Sequence, residues 1–150
     1  MAGALDDILR LAVAVLAGIA LGLDRELSGK PLGMRTLALV ALGSAAATLA
    51  AIHFHDLEHA SPQALARVLQ GVLVGVLTGI GFIGAGVVLR DPRDETVRGL
   101  TTAATVWVTA ALGIACALAD WVVAITGVAL ALAILFGLGW VEKRIIDSQK

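Results

Sequence analysis

Charge is scarce in this sequence, and the scarcity decides what kind of molecule it encodes. Asp, Glu, Lys and Arg make up 15% of the 150 residues while apolar residues make up 59%, whereas an average soluble domain carries about 25% charged residues. Too few polar side chains are present to cover a water-soluble globule. The same apolar bias, a mean hydropathy of +0.92, excludes a disordered chain. Cys116 is the only cysteine, so there is no disulfide scaffold. A formal net charge of −1 supplies no basic field for nucleic acid.

What the sequence has instead is long uncharged runs. Residues 11–23, 36–55, 68–89, 99–119 and 121–141 contain no Asp, Glu, Lys or Arg. About 20 apolar residues at a rise of 1.5 Å cross a hydrocarbon core of about 30 Å, and the last four runs meet that length. The first is shorter. It extends back to about Ala4, because Asp6 and Asp7 lie within one helical turn of Arg10 and can neutralise it at the membrane edge. Its acidic start, and its run into Asp24-Arg25-Glu26, do not fit a cleaved signal peptide. The expectation is an all-α polytopic protein, a single transmembrane domain over 1–150 with five transmembrane helices at about 4–23, 36–55, 68–89, 99–119 and 121–141.

Five spans place the termini on opposite sides of the bilayer. With the amino terminus outside and the carboxy terminus cytoplasmic, nine of the eleven Lys and Arg residues fall in inner segments, leaving Arg10 and Arg67 outside. That distribution follows the positive-inside rule. Trp121 and Trp140 flank the fifth span as candidate interfacial anchors. Only nine residues follow Val141, so no attached soluble domain is expected and activity is sought in the bilayer or at its faces.

Glycine is concentrated in the third span. Gly71, Gly75 and Gly79 recur every fourth residue on one helical face, where another backbone can come close, and Gly81, Gly84 and Gly86 follow. Two readings stay open: a packing helix at the centre of the bundle, meeting Gly18 and Gly22 of the first span, or a kink whose released carbonyls line a site. The run carries no lysine and follows no strand, so it is not a nucleotide loop. The fourth span opens Arg98-Gly99-Leu100-Thr101-Thr102-Ala103-Ala104-Thr105-Val106-Trp107. Thr101, Thr105 and Thr109 share a face, and their hydroxyls either bond back into their own helix or join Arg98 in a polar groove opening to the cytoplasm. Gln70, the only amide well inside a span, is expected to hydrogen-bond between helices.

Four motifs in order carry a resemblance. Leu21-Gly22-Leu23-Asp24-Arg25-Glu26, Lys30-Pro31-Leu32-Gly33-Met34-Arg35-Thr36, Gly79-Ile80-Gly81-Phe82-Ile83-Gly84-Ala85-Gly86-Val87 and the Gly99 to Trp107 stretch resemble the membrane domain of the MgtC/SapB family, across residues 18–113. The resemblance implies a bacterial inner-membrane protein linked to growth under magnesium limitation, survival inside host phagocytes or acid stress. For some members it implies a regulatory role that includes inhibition of the F-type ATP synthase. It places Asp24, Arg25, Glu26, Arg35 and Thr36 in the family's first inner motif, Gly79 to Gly86 in its glycine helix, and Arg98 to Trp107 in its fourth-span motif. Asp24 stands where relatives commonly have Glu. The larger members carry a soluble carboxy-terminal domain to which the resemblance does not extend.

The chemistry of the side chains narrows the function further. No Asp or Glu lies within an uncharged run, and Mg²⁺ requires oxygen ligands and sheds water reluctantly, which disfavours a midplane ion site. Backbone carbonyls at a glycine kink are the remaining path. No acid pair or Ser-His constellation points to an enzyme, and no cofactor is expected. Asp24, Arg25, Glu26, Arg35 and Arg98 abut span ends, where charge is costly unless paired. A carboxylate of the first inner loop paired with Arg98 or Arg35 would lock the helical hairpins together, so neutralising Asp24 or Arg98 is expected to destabilise the protein. Thr36, Thr101, Thr102 and Thr105 complete this polar cluster at the inner face, with Gly71 to Gly86 and Trp107 as packing or kink positions. His53, His55 and His59 cluster in the outer loop as candidate ligands for a metal or as an acid sensor. The partners expected are the bilayer, another membrane protein such as ATP synthase, and a second copy of the chain. Two functions stay open, a non-enzymatic membrane regulator and a transporter or channel for Mg²⁺ or another small ion.

Overall fold

The uncharged runs fold as helices because nothing within them interrupts the hydrogen-bond ladder. The computed structural model describes residues 2–53, 61–90 and 97–138. In chain order these are α1 (Ala2–Leu27), α2 (Met34–His53), α3 (Pro62–Val87), β1 (Leu89–Arg90), β2 (Val97–Arg98), α4 (Leu100–Ala117) and α5 (Trp121–Leu132), which continues in π-helical form over Ala133–Leu138. Among the described residues the protein is all-α apart from the two short strands. Four segments, 34–53, 62–87, 100–117 and 121–138, are long and apolar enough to cross a membrane. The helix α1 is 26 residues long, but Asp6, Asp7 and Arg10 at one end and Asp24, Arg25 and Glu26 at the other leave only its middle uncharged.

Local chemistry sets the boundaries. Ser61 caps α3, its Oγ accepting from Ala64 N at 3.3 Å ahead of Pro62 in the first turn, and this start carries the helix past Arg67. Asp120 caps α5, its Oδ1 accepting from Val123 N at 3.1 Å. Gly29, at φ +61°, terminates α1 in a left-handed turn closed by Lys30 N donating to Arg25 O at 2.9 Å. Between α3 and α4 the chain forms an antiparallel ribbon, with Leu89 opposite Arg98 and Arg90 opposite Val97.

The centre of the bundle is α4, not the glycine helix. It packs against α1, α2, α3 and α5, and Val106, Ala110, Leu112, Ile114, Ala115 and Cys116 are buried on it. In α3 only Gly84 is buried; its Cβ, if present, would meet Ala103 of α4 at 3.5 Å. A helix whose repeating residue has no side chain offers little area to bury, so α3 lies at the periphery with Val74 and Phe82 exposed. The expected meeting of glycines on the first and third spans is corrected likewise. Gly18 and Gly22 lie against α2, where a Cβ on Gly18 would sit 2.5 Å from Leu37 O and one on Gly22 would overlap Met34. Gly113 of α4 is pressed in the same way against the backbone of Ala41.

Candidate functional site

The buried polar side chains gather where the end of α1 meets the start of α4. Asp24 and Arg25 occupy the last turns of α1, and Thr102 the first turn of α4. Arg25 is 1% exposed, Thr102 2% and Asp24 5%. Arg25 Nη2 donates to Thr102 Oγ1, while Nη1 lies 3.8 Å from Asp24 Oδ2, an ion pair beyond hydrogen-bond distance. Arg25 Nε and Nη1 and Asp24 Oδ2 have no hydrogen-bond partner among the described residues. The guanidinium is favoured where it stands by the carbonyl end of α1 and disfavoured by its loss of water, so the neighbouring carboxylate and hydroxyl are what make its burial tolerable.

The other members of the expected cluster separate into distinct roles. Glu26 turns outward and caps α2, its Oε2 accepting from Met34 N at 3.1 Å; the same oxygen lies so close to Gly33 that a side chain there would overlap it. Arg35 and Arg98 are exposed. The expected lock between a first-loop carboxylate and Arg35 or Arg98 is therefore corrected: the described residues show no such pair, and the partner of the buried carboxylate is the adjacent Arg25. Thr36 lines a cleft between α2 and α3 with Gly43, Ser44, Gly75 and Gly79.

The threonine stripe resolves in favour of self-satisfaction. Thr105 Oγ1 donates to Thr101 O and Thr109 Oγ1 to Thr105 O, each at 2.7 Å. It is Thr102, one residue off the stripe, that receives the arginine. Ser44 and Thr48 of α2 bond back in the same way, to Val40 O and Ser44 O at 2.8 Å. A Cβ at Gly71, Gly75, Gly79, Gly81 or Gly86 would meet nothing within 4 Å, and α3 is continuous from Pro62 to Val87, so the helix shows no break there. Gln70 and Trp107 are exposed.

A second polar joint, missed in the sequence, closes the opposite end. Arg10 Nη1 donates to Ala117 O at 2.7 Å, reaching the last turn of α4, and its Nη2 pairs with Asp6 Oδ2 at 2.5 Å. The pairing with Asp6 was legible from its four-residue spacing; the carbonyl 107 residues away was not. Asp7 Oδ2 lies 3.2 Å from His53 Nε2, joining α1 to α2. His55, His59, Trp140 and most of the second inner loop lie outside the described residues, among which no group of three or more His, Cys, Asp or Glu could hold a metal ion.

The chain is 48% identical to protein SrpB of Synechococcus elongatus over 69% of its own length and 59% of the relative. It is 40% identical to protein SapB of Bacillus subtilis over 73% and 47%, and 38% identical to protein MgtC of Salmonella typhimurium over 73% and 42%. It thus spans about half the length of the curated relatives it matches. No solved structure matches. The apolar helices and the bacterial relatives make this a membrane protein suited to the bacterial inner membrane. The description MgtC family applies over residues 11–144, and the chain belongs to that family.

Proposed function

We propose that the protein is a non-enzymatic regulator of the inner membrane that acts by packing against another membrane protein, an ATP synthase subunit being the candidate that the family resemblance supplies. Its five helices cross the bilayer with the amino terminus outside and the carboxy terminus in the cytoplasm, α1 joining the four apolar spans as the fifth. The observation that carries the reading is the uncovered glycine stripe of α3. A Cβ at Gly71, Gly75, Gly79 or Gly86 would meet nothing within 4 Å, and Gly75 and Gly79 border an open cleft against α2, on the side of α3 away from Gly84 and its contact with α4. Helix association in lipid depends on such close backbone approach. A second copy of the chain is the alternative occupant. The link to magnesium limitation, acid stress or virulence rests on the family and on the name of the relative MgtC.

The competing reading is a conduit for Mg²⁺ or another small ion. It needs oxygen ligands along a hydrated path, and an unbroken α3 keeps its carbonyls in the helix ladder. Reconstitution into proteoliposomes tests the choice. The regulator reading expects no selective, saturable Mg²⁺ uptake together with co-purification of a membrane partner; saturable uptake overturns it.

A further inference from the structure

We infer that the uncovered side of α3 takes a membrane-spanning helix of another protein that carries a carboxylate at the membrane boundary where α3 begins, an inference that rests on α3 being the docking face and adds the chemistry of what docks there. A row of side chains beside the glycine stripe supplies it. Arg67, Gln70, Val74, Thr78, Gly81 and Ala85 follow one another at three- and four-residue spacing and are all exposed, so they form one continuous strip along the helix. Val74, 59% exposed, is its only large apolar member. The exposed face of α5 is different in kind, with Val122, Ile125, Leu130 and Ile134 offering lipid nothing but hydrocarbon.

Lipid does not suit the strip on α3. The helix has 26 residues, whereas about 20 cross the hydrocarbon. Counting back about 20 from Val87, which precedes the charged ribbon, puts Arg67 at the boundary, Gln70 about one turn inside it and Thr78 near the midplane. A guanidinium at the boundary reaches a lipid phosphate. An amide and a hydroxyl deeper in find no donor or acceptor among acyl chains. Thr126, exposed on α5, bonds back to Val122 O, but Gln70 and Thr78 have no hydrogen-bond partner among the described residues. Such side chains hydrogen-bond across helix interfaces in membranes, so what answers them is another helix.

Arg67 decides which helix. A second copy packed about a two-fold axis would bring Arg67 against Arg67, like charges beside a medium of low dielectric. A carboxylate instead pairs with the guanidinium through two parallel hydrogen bonds and lets both charges approach the hydrocarbon. Below it, Gly81 and Ala85 admit the neighbour's backbone. The occupant is therefore a helix with Asp or Glu at the level of Arg67 and small residues beneath, entering from the same leaflet.

Energy transfer in dioleoylphosphatidylcholine vesicles tests this, with the full chain labelled at its amino terminus and a labelled Leu-Ala host helix of about 22 residues as probe. Three probes differ at one boundary residue, which is Glu, Gln or Lys. The wild type binds the Glu helix about threefold or more tightly than the Gln helix, the scale of one interhelical polar contact in lipid, and the Lys helix least. Arg67→Gln removes that preference, Arg67→Lys keeps it, and Gln70→Leu weakens the Glu and Gln helices alike. Both side chains are exposed, and unchanged circular dichroism checks that the variants fold. Equal binding of the three helices, a Glu preference that survives Arg67→Gln, or wild-type binding by Gln70→Leu overturns the proposal. Energy transfer between two copies of the chain that Gln70→Leu abolishes also overturns it, by placing a second copy on the strip. A membrane partner that co-purifies equally with the wild type and Arg67→Gln overturns the carboxylate and leaves α3 as the docking face, whereas the absence of any co-purified partner overturns both.

Discussion

Arg25 and Thr102 stand 77 residues apart in sequence, yet the guanidinium of one donates to the hydroxyl of the other with neither reaching solvent. The bond joins the end of α1 to the start of α4 and so fixes the level at which two helices of the bundle meet.

Thr102→Val keeps the shape of the side chain and removes the acceptor. A buried donor on a charged group is then left without its partner, at a cost of about 1–3 kcal/mol. Unfolding in detergent followed by circular dichroism reads the loss, and Thr102→Ser restores most of it. Wild-type stability in the Val variant would show that the hydroxyl carries no such role.

Asp24 and Arg98 are predicted to part company. Asp24→Asn leaves Arg25 buried without a countercharge, a change of about 3–5 kcal/mol, and lowers the folded yield in membranes. Arg98→Gln alters an exposed side chain and shifts stability by about 0.5 kcal/mol or less. Thermal unfolding of the two variants side by side checks the contrast; equal losses would restore the hairpin lock that the residue pattern suggests.

The helices were legible in the sequence because the absence of charge over about 20 residues is itself the physical requirement for crossing a bilayer. The pairing of Asp6 with Arg10 was legible for the same kind of reason, since a four-residue spacing puts both on one face. Arg25 meeting Thr102, and Arg10 meeting the carbonyl of Ala117, were not, because each depends on which helices become neighbours. Glycine misled most. A four-residue repeat reads as a packing face, and in α1 Gly18 and Gly22 do pack closely, but against α2. The same spacing in α3 is left uncovered, bordering an open cleft against α2, and nothing in the repeat itself says which side of a helix the rest of the chain will cover.

That difference gives the glycines opposite predicted behaviour. Gly22→Ala forces a methyl into the backbone at Met34 and destabilises by about 1–3 kcal/mol. Gly75→Ala meets open space and gains up to about 1 kcal/mol from helix propensity, while weakening any partner that docks on α3. Unfolding of the isolated protein separates the two signs, and co-purification from membranes reads the second effect. A destabilised Gly75→Ala would mean that α3 is covered within the monomer.

Arg10 is predicted to matter more than the aspartate that neutralises it. Its bond to Ala117 O satisfies a carbonyl in the last turn of α4, where a cation is also favoured by the helix dipole. Arg10→Met keeps the apolar stem and loses both, at about 1–2 kcal/mol. Asp6, nearly half exposed, belongs to a pair screened by solvent, and Asp6→Asn costs about 0.5 kcal/mol or less. A double-mutant cycle on Arg10 and Asp6 checks this: a small coupling beside a large single effect at Arg10 places the stabilisation in the carbonyl bond, whereas a coupling as large as the Arg10 effect places it in the ion pair.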